Sequence, residues 1–564
     1  ENEDGLLISG QFHNYDRTKS YTLTDVAMSY FEVAIIQKLD NGKYKNRTMK
    51  DTETGDCLNT DIKPDVKTYS CNTQQQPFQK PTIKEIADYC AERKNKIDPA
   101  YFFDYYETKG WKVGKHKMTD WKACIRNWER KDPSEAPKEE KEYIKNDVLI
   151  VAQALNVLFK ENLKKMTQGS NALNDFKQIV KKKRFERYFP PLEKWADEDI
   201  RKAYKGGFTY LNPVYKNKIV GAGVVLDVNS LYPSVMMEKL LPFGEGKFFE
   251  GKYKQDNFYP LYIQSITCSF KLKEGKIPTI QLKAKEYKWE FLPNEYVESS
   301  HNKIINLVLT NIDLKLFLEN YEVHDLEYLN GWKFKGMHGI FSEYITKWIT
   351  RKNEATISGN KGQRTLAKLM LNSISGKFAS AVEYKNKIPY IAEDNCVHYK
   401  TTEPKQREGI YAPTSIFITA YGRKILIETA EKIREFTIKK YGYDSFIYSD
   451  TDSVHALIKE EDLKELVEID KFKLGAWKIE TKAQEGKYLK QKCYLLKENN
   501  KIKAHCSGMN KTCYSNIEWE KFKTGYSIPG NLKKKRVQGG IILVESDFTI
   551  KDDKVKSSIA NMNL

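Results

Sequence analysis

An α+β fold is predicted for this chain, and three segments in its C-terminal two-thirds carry that prediction. Over residues 446–456, two β-prone and largely apolar runs flank a turn that holds Asp450 and Asp452, the pattern of two short strands pairing through their connection. At 223–228 an apolar strand delivers Asp227, and Ser230, Leu231, Tyr232 and Pro233 then lead into a helix through Val235, Met236 and Leu240. Over 364–378, Arg364, Lys368 and Asn372 recur every fourth residue and share one helical face, with Leu366, Leu369 and Met370 elsewhere to anchor it.

Each segment has a plain reading. Asp-rich turns are mostly solvated, an apolar strand before a helix is mostly core, and a basic helical face mostly meets water. Each also carries chemistry. Carboxylates at a hairpin tip present oxygen ligands to a hard cation, as two-metal phosphoryl transfer requires. A carboxylate at a strand end, with backbone amides and the ring of Tyr232 behind it, suits a metal and a triphosphate together. Two cations and an amide in a row can grip phosphates and a sugar or base edge.

Taken together and in this order, the segments resemble motifs A, B and C of family B DNA polymerases. The likeness is closest to the protein-primed phage type, whose forms are DxxSLYP, KxxxNSxYG and YxDTDS. Tyr204-Lys-Gly206-Gly207-Phe resembles the YxGG element between exonuclease and polymerase domains, Lys492-Cys-Tyr494 resembles the KxY element that holds the primer, and Cys506-Ser-Gly508-Met509 resembles the stretch that follows it. The resemblance spans about residues 142–551. It implies a right-hand polymerase with palm, fingers, thumb and two insertions, preceded by a truncated or replaced exonuclease domain. The expected division is palm 196–245 and 412–509, first insertion 246–344, fingers 345–382, second insertion 383–411 and thumb 510–564.

The same resemblance implies the roles. Asp227, Asp450 and Asp452 are catalytic, and Asp227, Asp452 and the Val228 carbonyl hold two Mg²⁺ ions, with Mn²⁺ as a substitute. Leu231, Tyr232, Arg364, Lys368 and Asn372 bind the dNTP. Tyr204, Gly206, Gly207, Ser373, Gly376, Thr451, Lys492 and Tyr494 face primer and template. The implied partners are template and primer DNA, dNTPs and a terminal priming protein, around a monomeric enzyme. In one departure, the family has Tyr before the glycine of motif B and this chain has Ser375 before Gly376, which predicts a roomier or wetter nucleotide pocket.

Composition agrees. The 564 residues allow several domains, the net charge is +18, and 35 tyrosines provide rings that can stack on bases. Excess lysine alone also serves solubility, yet here it clusters at 181–184 and 533–536, both loop-like runs. The nine cysteines form no CxxC pair and share no metal-ligand spacing with the eight histidines, so Cys493 and Cys506 read as packing residues in a reducing compartment. No apolar run approaches the roughly 18 residues of a membrane helix, and the acidic start is no secretory signal. A cytoplasmic protein of a bacterial host cell is expected, with residues lost upstream of Glu1 because the chain lacks an initial Met.

The resemblance leaves about the first 140 residues unexplained. Residues 1–76 mix β-like runs at 21–39 with a Thr/Asp/Asn-rich tract read as a linker or poorly ordered loop. Residues 77–135 read as a small basic helical module like one near the ends of phage replication-initiation proteins. There Thr82 and Glu85 form a capping box, Ile83, Ile86, Ala87 and Cys90 an apolar stripe, 121–128 a further helix, and the aromatics are read as core rather than a base-stacking surface. After a charged junction at 135–141, Tyr143 and Asp147 resemble the third exonuclease motif, YxxxD, in an exonuclease remnant at 136–195. The other two exonuclease motifs have only faint candidates, Asp51 with Glu53 and the stretch 13–16, so weak or absent proofreading is expected. Rival readings are an idle DNA-tethering protein and a polymerase of RNA. The intact carboxylates argue against the first, and Tyr232, which would collide with a 2′-hydroxyl, against the second.

Overall fold

Strands of period two and helices of period 3.6 each leave one face for a core. The computed structural model describes residues 7–9, 21–23, 79–95, 97–113, 116–129, 138–282, 295–393, 397–537 and 540–551. The chain divides into two compact units, Glu1–Lys164 and Lys165–Leu564. Among the described residues no helix is long and apolar enough to cross a membrane.

In Glu1–Lys164, the β-like run at 21–39 is described only at Tyr21–Leu23, which pairs antiparallel with Leu7–Ser9. The capping box forms: the Thr82 hydroxyl accepts from the Glu85 amide and the Glu85 carboxylate accepts from the Thr82 amide, opening the helix Ile83–Glu92. Ile86 and Cys90 are buried, but Ile83 of the expected stripe is exposed. Helices Pro99–Thr108 and Trp121–Glu129 complete a small core of Ile86, Phe102, Tyr106, Met118, Cys124 and Ile125, so most of the aromatics are packing groups. Tyr101 is the exception, with its side chain largely in solvent. The next helix, Lys138–Lys160, starts five residues before Tyr143, so the last part of the expected junction is helical. It buries Val151, Leu155 and Leu158 at helical spacing.

Lys165–Leu564 is built on β1 Thr209–Leu211, β2 Gly223–Val228, α1 Leu231–Glu238, α2 Ser342–Ile357, α3 Lys361–Phe378, α4 Ala412–Tyr441, β3 Phe446–Asp450, β4 Ser453–Ala456, β5 Trp477–Ala483, β6 Glu485–Lys490, β7 Cys493–Glu498 and β8 Lys501–Cys506. Five strands form an antiparallel sheet in the order β5–β2–β4–β3–β1. Alternation along β2 sends Val224, Leu226 and Val228 into a core with Leu426, Ala430 and Ile433 of α4. Val225 points the other way, into a cluster with Tyr448, Tyr488 and Tyr494. Asp227 shares its parity, so the sheet has α4 behind it and its carboxylate face toward β6–β8.

A second antiparallel sheet joins Ile305–Thr310, Leu261–Leu272, Tyr321–Met337 and Leu241–Glu250, in that order. Its last strand straddles the expected boundary at 245/246, because pairing with Tyr321–Met337 begins at Leu241. The helix Asn311–Asn320 of this region is tied to α4 by Leu316, which packs in the core of α4 and the first sheet, by a bond from Asn320 to Glu431, and by a buried ion pair. Arg423 of α4, 2% exposed at its side chain, makes three bonds of 2.7–3.0 Å to the Asp313 carboxylate and donates to the carbonyls of Lys205 and Gly206.

The break at 164/165 falls inside the segment 136–195 expected as one exonuclease remnant. Residues beyond it belong with the C-terminal unit because of aromatic packing. Phe176 stacks on Phe341 at 4.6 Å, Phe189 lies 4.8 Å from Phe378 at the end of α3, and Asp175 accepts from Trp348 and Lys347 of α2. Further on, Glu383–Tyr384 pairs with Lys405–Gln406 and Lys387–Ile391 with Val397–Thr401, a solvent-exposed ladder of two hairpin pairings. The C-terminal stretch, expected as a separate thumb from 510, shares its core with β6–β8: Cys513, Trp519, Phe522 and Ile528 pack with Leu489, Leu495 and Cys506. Cys493 and Cys506 are register partners in β7 and β8 with sulfurs 3.7 Å apart, consistent with their reading as packing residues.

Breaking a buried ion pair strands a charge and costs about 3–5 kcal/mol. Arg423→Met is therefore expected to lower the urea midpoint strongly, and adding Asp313→Leu to recover most of the loss. A midpoint unchanged in Arg423→Met would show that the pair holds nothing in place.

Candidate active site

The β3–β4 hairpin places its acids by backbone geometry. Asp450 ends β3, Asp452 precedes β4, and Thr451 between them adopts a left-handed φ of 64°. That turn is held from both sides. The Thr451 amide donates to the Phe208 carbonyl at 2.7 Å, and the Asp452 carbonyl accepts from the Val228 amide at 2.8 Å. In register, Ser453 opposes both Asp450 and Asp227. The three aspartates, 225 residues apart at their extremes in sequence, thus meet at the end of one sheet. Burial first, and then the charges of Asp227 and Asp450, push the Asp452 carboxyl up to about 6. Mutual repulsion of this kind is what a bound cation relieves.

Two lysines flank the trio. Lys492 lies 2.7 Å from Asp450, and Lys478, directly opposite Asp227 across the β5–β2 ladder, lies 2.5 Å from its carboxylate. Asp450 also accepts from the hydroxyls of Thr209, Thr451 and Tyr448 at 3.1–3.2 Å. Lys492 sits at a left-handed φ of 56°, with its amide donating to Tyr448. Tyr494, two residues on, is buried beneath and stacks on His505 at 4.7 Å. Burial and then the Asp450 charge raise its phenol. Lys492 is therefore the more exposed member of the KxY element.

On the other side, Ser230 turns the chain from β2 into α1 through the left-handed region (φ 57°). Leu231 is buried, whereas Tyr232 is half-buried and wedged between glycines. A Cβ on Gly207 would lie 3.0 Å from the Tyr232 hydroxyl and 2.9 Å from Thr451, and one on Gly422 would lie 3.0 Å from the Tyr232 ring. Burial pushes its phenol up to about 12, so it stays protonated. Gly206 and the half-buried Tyr204 complete that loop, and Arg423 grips the Gly206 carbonyl.

Helix α3 presents Arg364, Lys368, Asn372 and Gly376 along one exposed stripe, with Ser373 half-buried beside it. Its anchors differ in part from expectation: Met370 is buried as predicted, but Leu366 and Leu369 are half-buried, and Ala367, Leu371, Ile374 and Phe378 do most of the packing. Ser375 falls on this buried face, where its carbonyl accepts from Ser415 of α4. Lys368 reaches the trio electrostatically, opposing the rise at Asp452.

Two residues escaped the sequence reading. Lys352 of α2 bonds the Ser230 hydroxyl at 2.8 Å, and burial, then Lys478, Arg364 and Lys368, press its amine down to about 8. Lys478 is the other. Neither belongs to a matched motif; the one usable signal for Lys478 was its place in a strand next to Trp477. Among the described residues no group of three or more His, Cys, Asp or Glu side chains encloses a metal position. The available donor set is two carboxylates with backbone oxygen, hard ligands that fit Mg²⁺. Tyr143 and Asp147 lie four apart on the helix Lys138–Lys160. Asp51, Glu53 and residues 13–16 lie outside the described residues.

A family model described as DNA polymerase type B, organellar and viral, matches residues 78–466. The DNA polymerase of Bacillus phage Nf is 42% identical over 443 residues, covering 75% of this chain and 74% of that protein. Those of Bacillus phage phi29 and Streptococcus phage Cp-1 are 41% and 31% identical, over 73% of this chain and 72% of each. The structure of phi29 DNA polymerase with primer-template DNA and incoming nucleotide substrates superposes with a TM-score of 0.67 at 40% identity, covering 74% of this chain and 73% of that one. This chain thus belongs to the family B DNA polymerases of organellar and viral type, within the phage protein-primed group that its motifs resemble, and is a DNA-directed DNA polymerase.

Proposed function

We propose that this enzyme extends a primer on phage or plasmid DNA by two-metal nucleotidyl transfer, and that it begins from a protein primer and displaces the strand ahead. The observation that carries the chemistry is the meeting of Asp227, Asp450 and Asp452 at one sheet end between two sets of cations. Asp227, Asp452 and the Val228 carbonyl would hold two Mg²⁺ ions, which when bound stabilise charge on the attacking and leaving oxygens. Arg364, Lys368 and Lys352 attract and orient the triphosphate. Asn372 faces the nucleotide, and Tyr232 excludes a 2′-hydroxyl. Lys492, held on Asp450, positions the primer end, with Tyr494 as its packed support and Tyr204, Gly206, Gly207, Thr451, Ser373 and Gly376 lining the DNA path.

In this reading the five-stranded sheet is the palm, α2 and α3 the fingers, the sheet of 241–337 the first insertion and the exposed hairpins of 383–406 the second. The last of these is a strand-displacing ring, and the C-terminal hairpin with Lys533–Lys535 is a thumb. Ser375 lies on the buried side of α3, so the altered pocket arises from the missing family ring rather than from contact by the serine. Proofreading is weak or absent on this reading, since beside Asp147 the sequence offers only faint candidates for the other two exonuclease motifs. Product length on a primed circle tests displacement, and decay of a mismatched primer without dNTP tests proofreading. A monomer acting in the cytoplasm of a bacterial host is the proposed setting.

Primer extension with dNTPs or NTPs, in Mg²⁺ or EDTA, is the deciding experiment. Mg²⁺-dependent dNTP incorporation is expected, with Asp227→Ala and Asp452→Ala each losing at least about three orders of magnitude. Near-normal extension by either folded variant would overturn the assignment. Tyr232→Val should raise the efficiency of ribonucleotide relative to deoxyribonucleotide use, and an equal ratio in both proteins would make the ring mere packing.

Asp452 also predicts a pH dependence. Its carboxyl sits at about 6 in the folded chain, against about 3.9 when unfolded. The folded state holds that proton more tightly, so stability from the neutral form is present at low pH and is lost as pH rises from about 4 to about 6. In EDTA at pH 7.5, Asp452→Asn should melt higher than wild type, and the gap should shrink by about half at pH 5. A gap that is constant across this range would mean that the Asp452 carboxyl is not raised in the folded chain.

A further inference from the structure

Lys478 is the second residue of β5, the edge strand of the sheet, and is the register partner of Asp227. Directly opposed residues of an antiparallel pair leave the same face with Cβ atoms about 4.5–5.5 Å apart. The lysine is therefore fixed on the carboxylate side by strand pairing and not by a chance rotamer. The start of β5 is itself pinned to the turn after β2: the Asn229 amide donates to the Ala476 carbonyl and the Gly475 amide to the Asn229 carbonyl, at 2.9 and 3.0 Å.

The two lysine–aspartate pairs have different surroundings. Lys492 and Asp450 sit among the hydroxyls of Thr209, Tyr448 and Thr451. Lys478 lies near Lys352, and its charge, with those of Arg364 and Lys368, helps to depress the Lys352 amine. Three cations assigned to the triphosphate thus have a fourth beside them, and its nearest anion is Asp227. At 37% exposure the Lys478 side chain has room to move, whereas Asp227, at 16%, does not.

We propose that Lys478 is a further nucleotide-binding residue, stored on Asp227 and transferred to the polyphosphate of the incoming nucleotide as Asp227 takes up a divalent cation. The proposal rests on the reading of Asp227 as a metal ligand. Magnesium takes carboxylate oxygens at about 2.0–2.1 Å, so an ammonium at 2.5 Å from the same carboxylate would meet it as a like charge at close range. The triphosphate supplies a new anion within the swing of a four-carbon stem. Lysine suits this role because its ammonium is a compact charge with three rotatable donors and needs no fixed planar geometry. Before the nucleotide arrives, the pair holds the Asp227 carboxylate in one orientation.

The test compares wild type, Lys478→Met, which keeps the stem, and Lys478→Arg, which keeps the charge, all as the full chain. Free Mn²⁺ measured by electron paramagnetic resonance, without nucleotide, gives metal affinity. Titration of dATP onto a dideoxy-terminated primer-template in Ca²⁺, followed by fluorescence of a 2-aminopurine in the template, gives nucleotide affinity without turnover. In Lys478→Met, Mn²⁺ should bind tighter because a competing cation is gone. There dATP should bind about tenfold weaker, the size of one lost charge-assisted contact, with Lys478→Arg largely restoring it. In turnover the loss should appear in KM far more than in kcat. Unchanged dATP affinity, or Mn²⁺ affinity that is unchanged or weaker, in folded Lys478→Met would overturn the proposal. Failure of the underlying reading has a different signature: Asp227→Ala would bind Mn²⁺ and extend primers like wild type.

Discussion

Like charges held together at the end of one sheet are the constraint around which the rest of the C-terminal unit is arranged. Asp227, Asp450 and Asp452 repel one another, and burial first, then that repulsion, raises the Asp452 carboxyl to about 6. Local sequence would not keep them together, since Asp227 lies far from the other two along the chain. Backbone pairing does. The Val228 amide is bound to the Asp452 carbonyl and the Thr451 amide to the Phe208 carbonyl, and the hairpin tip cannot relax away without losing both. Lysines on β5 and before β7 balance the outer pair, and the core of α4 against β2 and β4 keeps the strands in register.

From this follows the division of labour between the two sides. Near Asp450 the polar groups are hydroxyls and one lysine, a setting that orients by hydrogen bonds. Near Asp227 they are lysines and an arginine on α2, α3 and β5, a setting that attracts by charge. Arg423 is a second fixed point of this unit. It joins α4, the loop at Lys205–Gly206 and the helix Asn311–Asn320 through a single guanidinium. A buried arginine with every contact satisfied is costly to disturb, which makes this a rigid joint.

How much of this was legible in the sequence depends on the range of the signal. The hairpin acids, the strand-to-helix turn and the basic stripe of α3 are local patterns of period two or 3.6, and each formed as the pattern predicted, except that the helix after Tyr232 ends at Glu238, short of Leu240. The capping box at Thr82 and Glu85 is equally local and also formed. Lys352 and Lys478 were missed because lysine is abundant here and their meaning lies in pairing: one needs α2 packed beside Ser230, the other the β5–β2 register. The division at 164/165 was missed for the same reason, since nothing local in 165–195 announces that Phe176, Phe185 and Phe189 pack on Phe341 and Phe378. Leu366 and Leu369 show a related limit, because a periodic stripe tells which residues share a face but not how deeply each is covered.

The aromatic cluster has a mechanical consequence. It clamps α3 at its C-terminal end, where Phe378 is buried among Phe176, Phe185, Phe189 and Phe341, while the opposite end of the α2–α3 pair carries Ile357 in solvent. A tilt of α3 about Phe378 would make the helix a lever. At about 1.5 Å per residue, Arg364 stands about 21 Å from that pivot and Asn372 about 9 Å. Any tilt of the lever displaces Arg364 more than twice as far as Asn372. On the proposed reading of Arg364 as a phosphate ligand and Asn372 as facing the nucleotide, such a tilt would move the phosphate contact more than twice as far as the nucleotide contact, along a single helix.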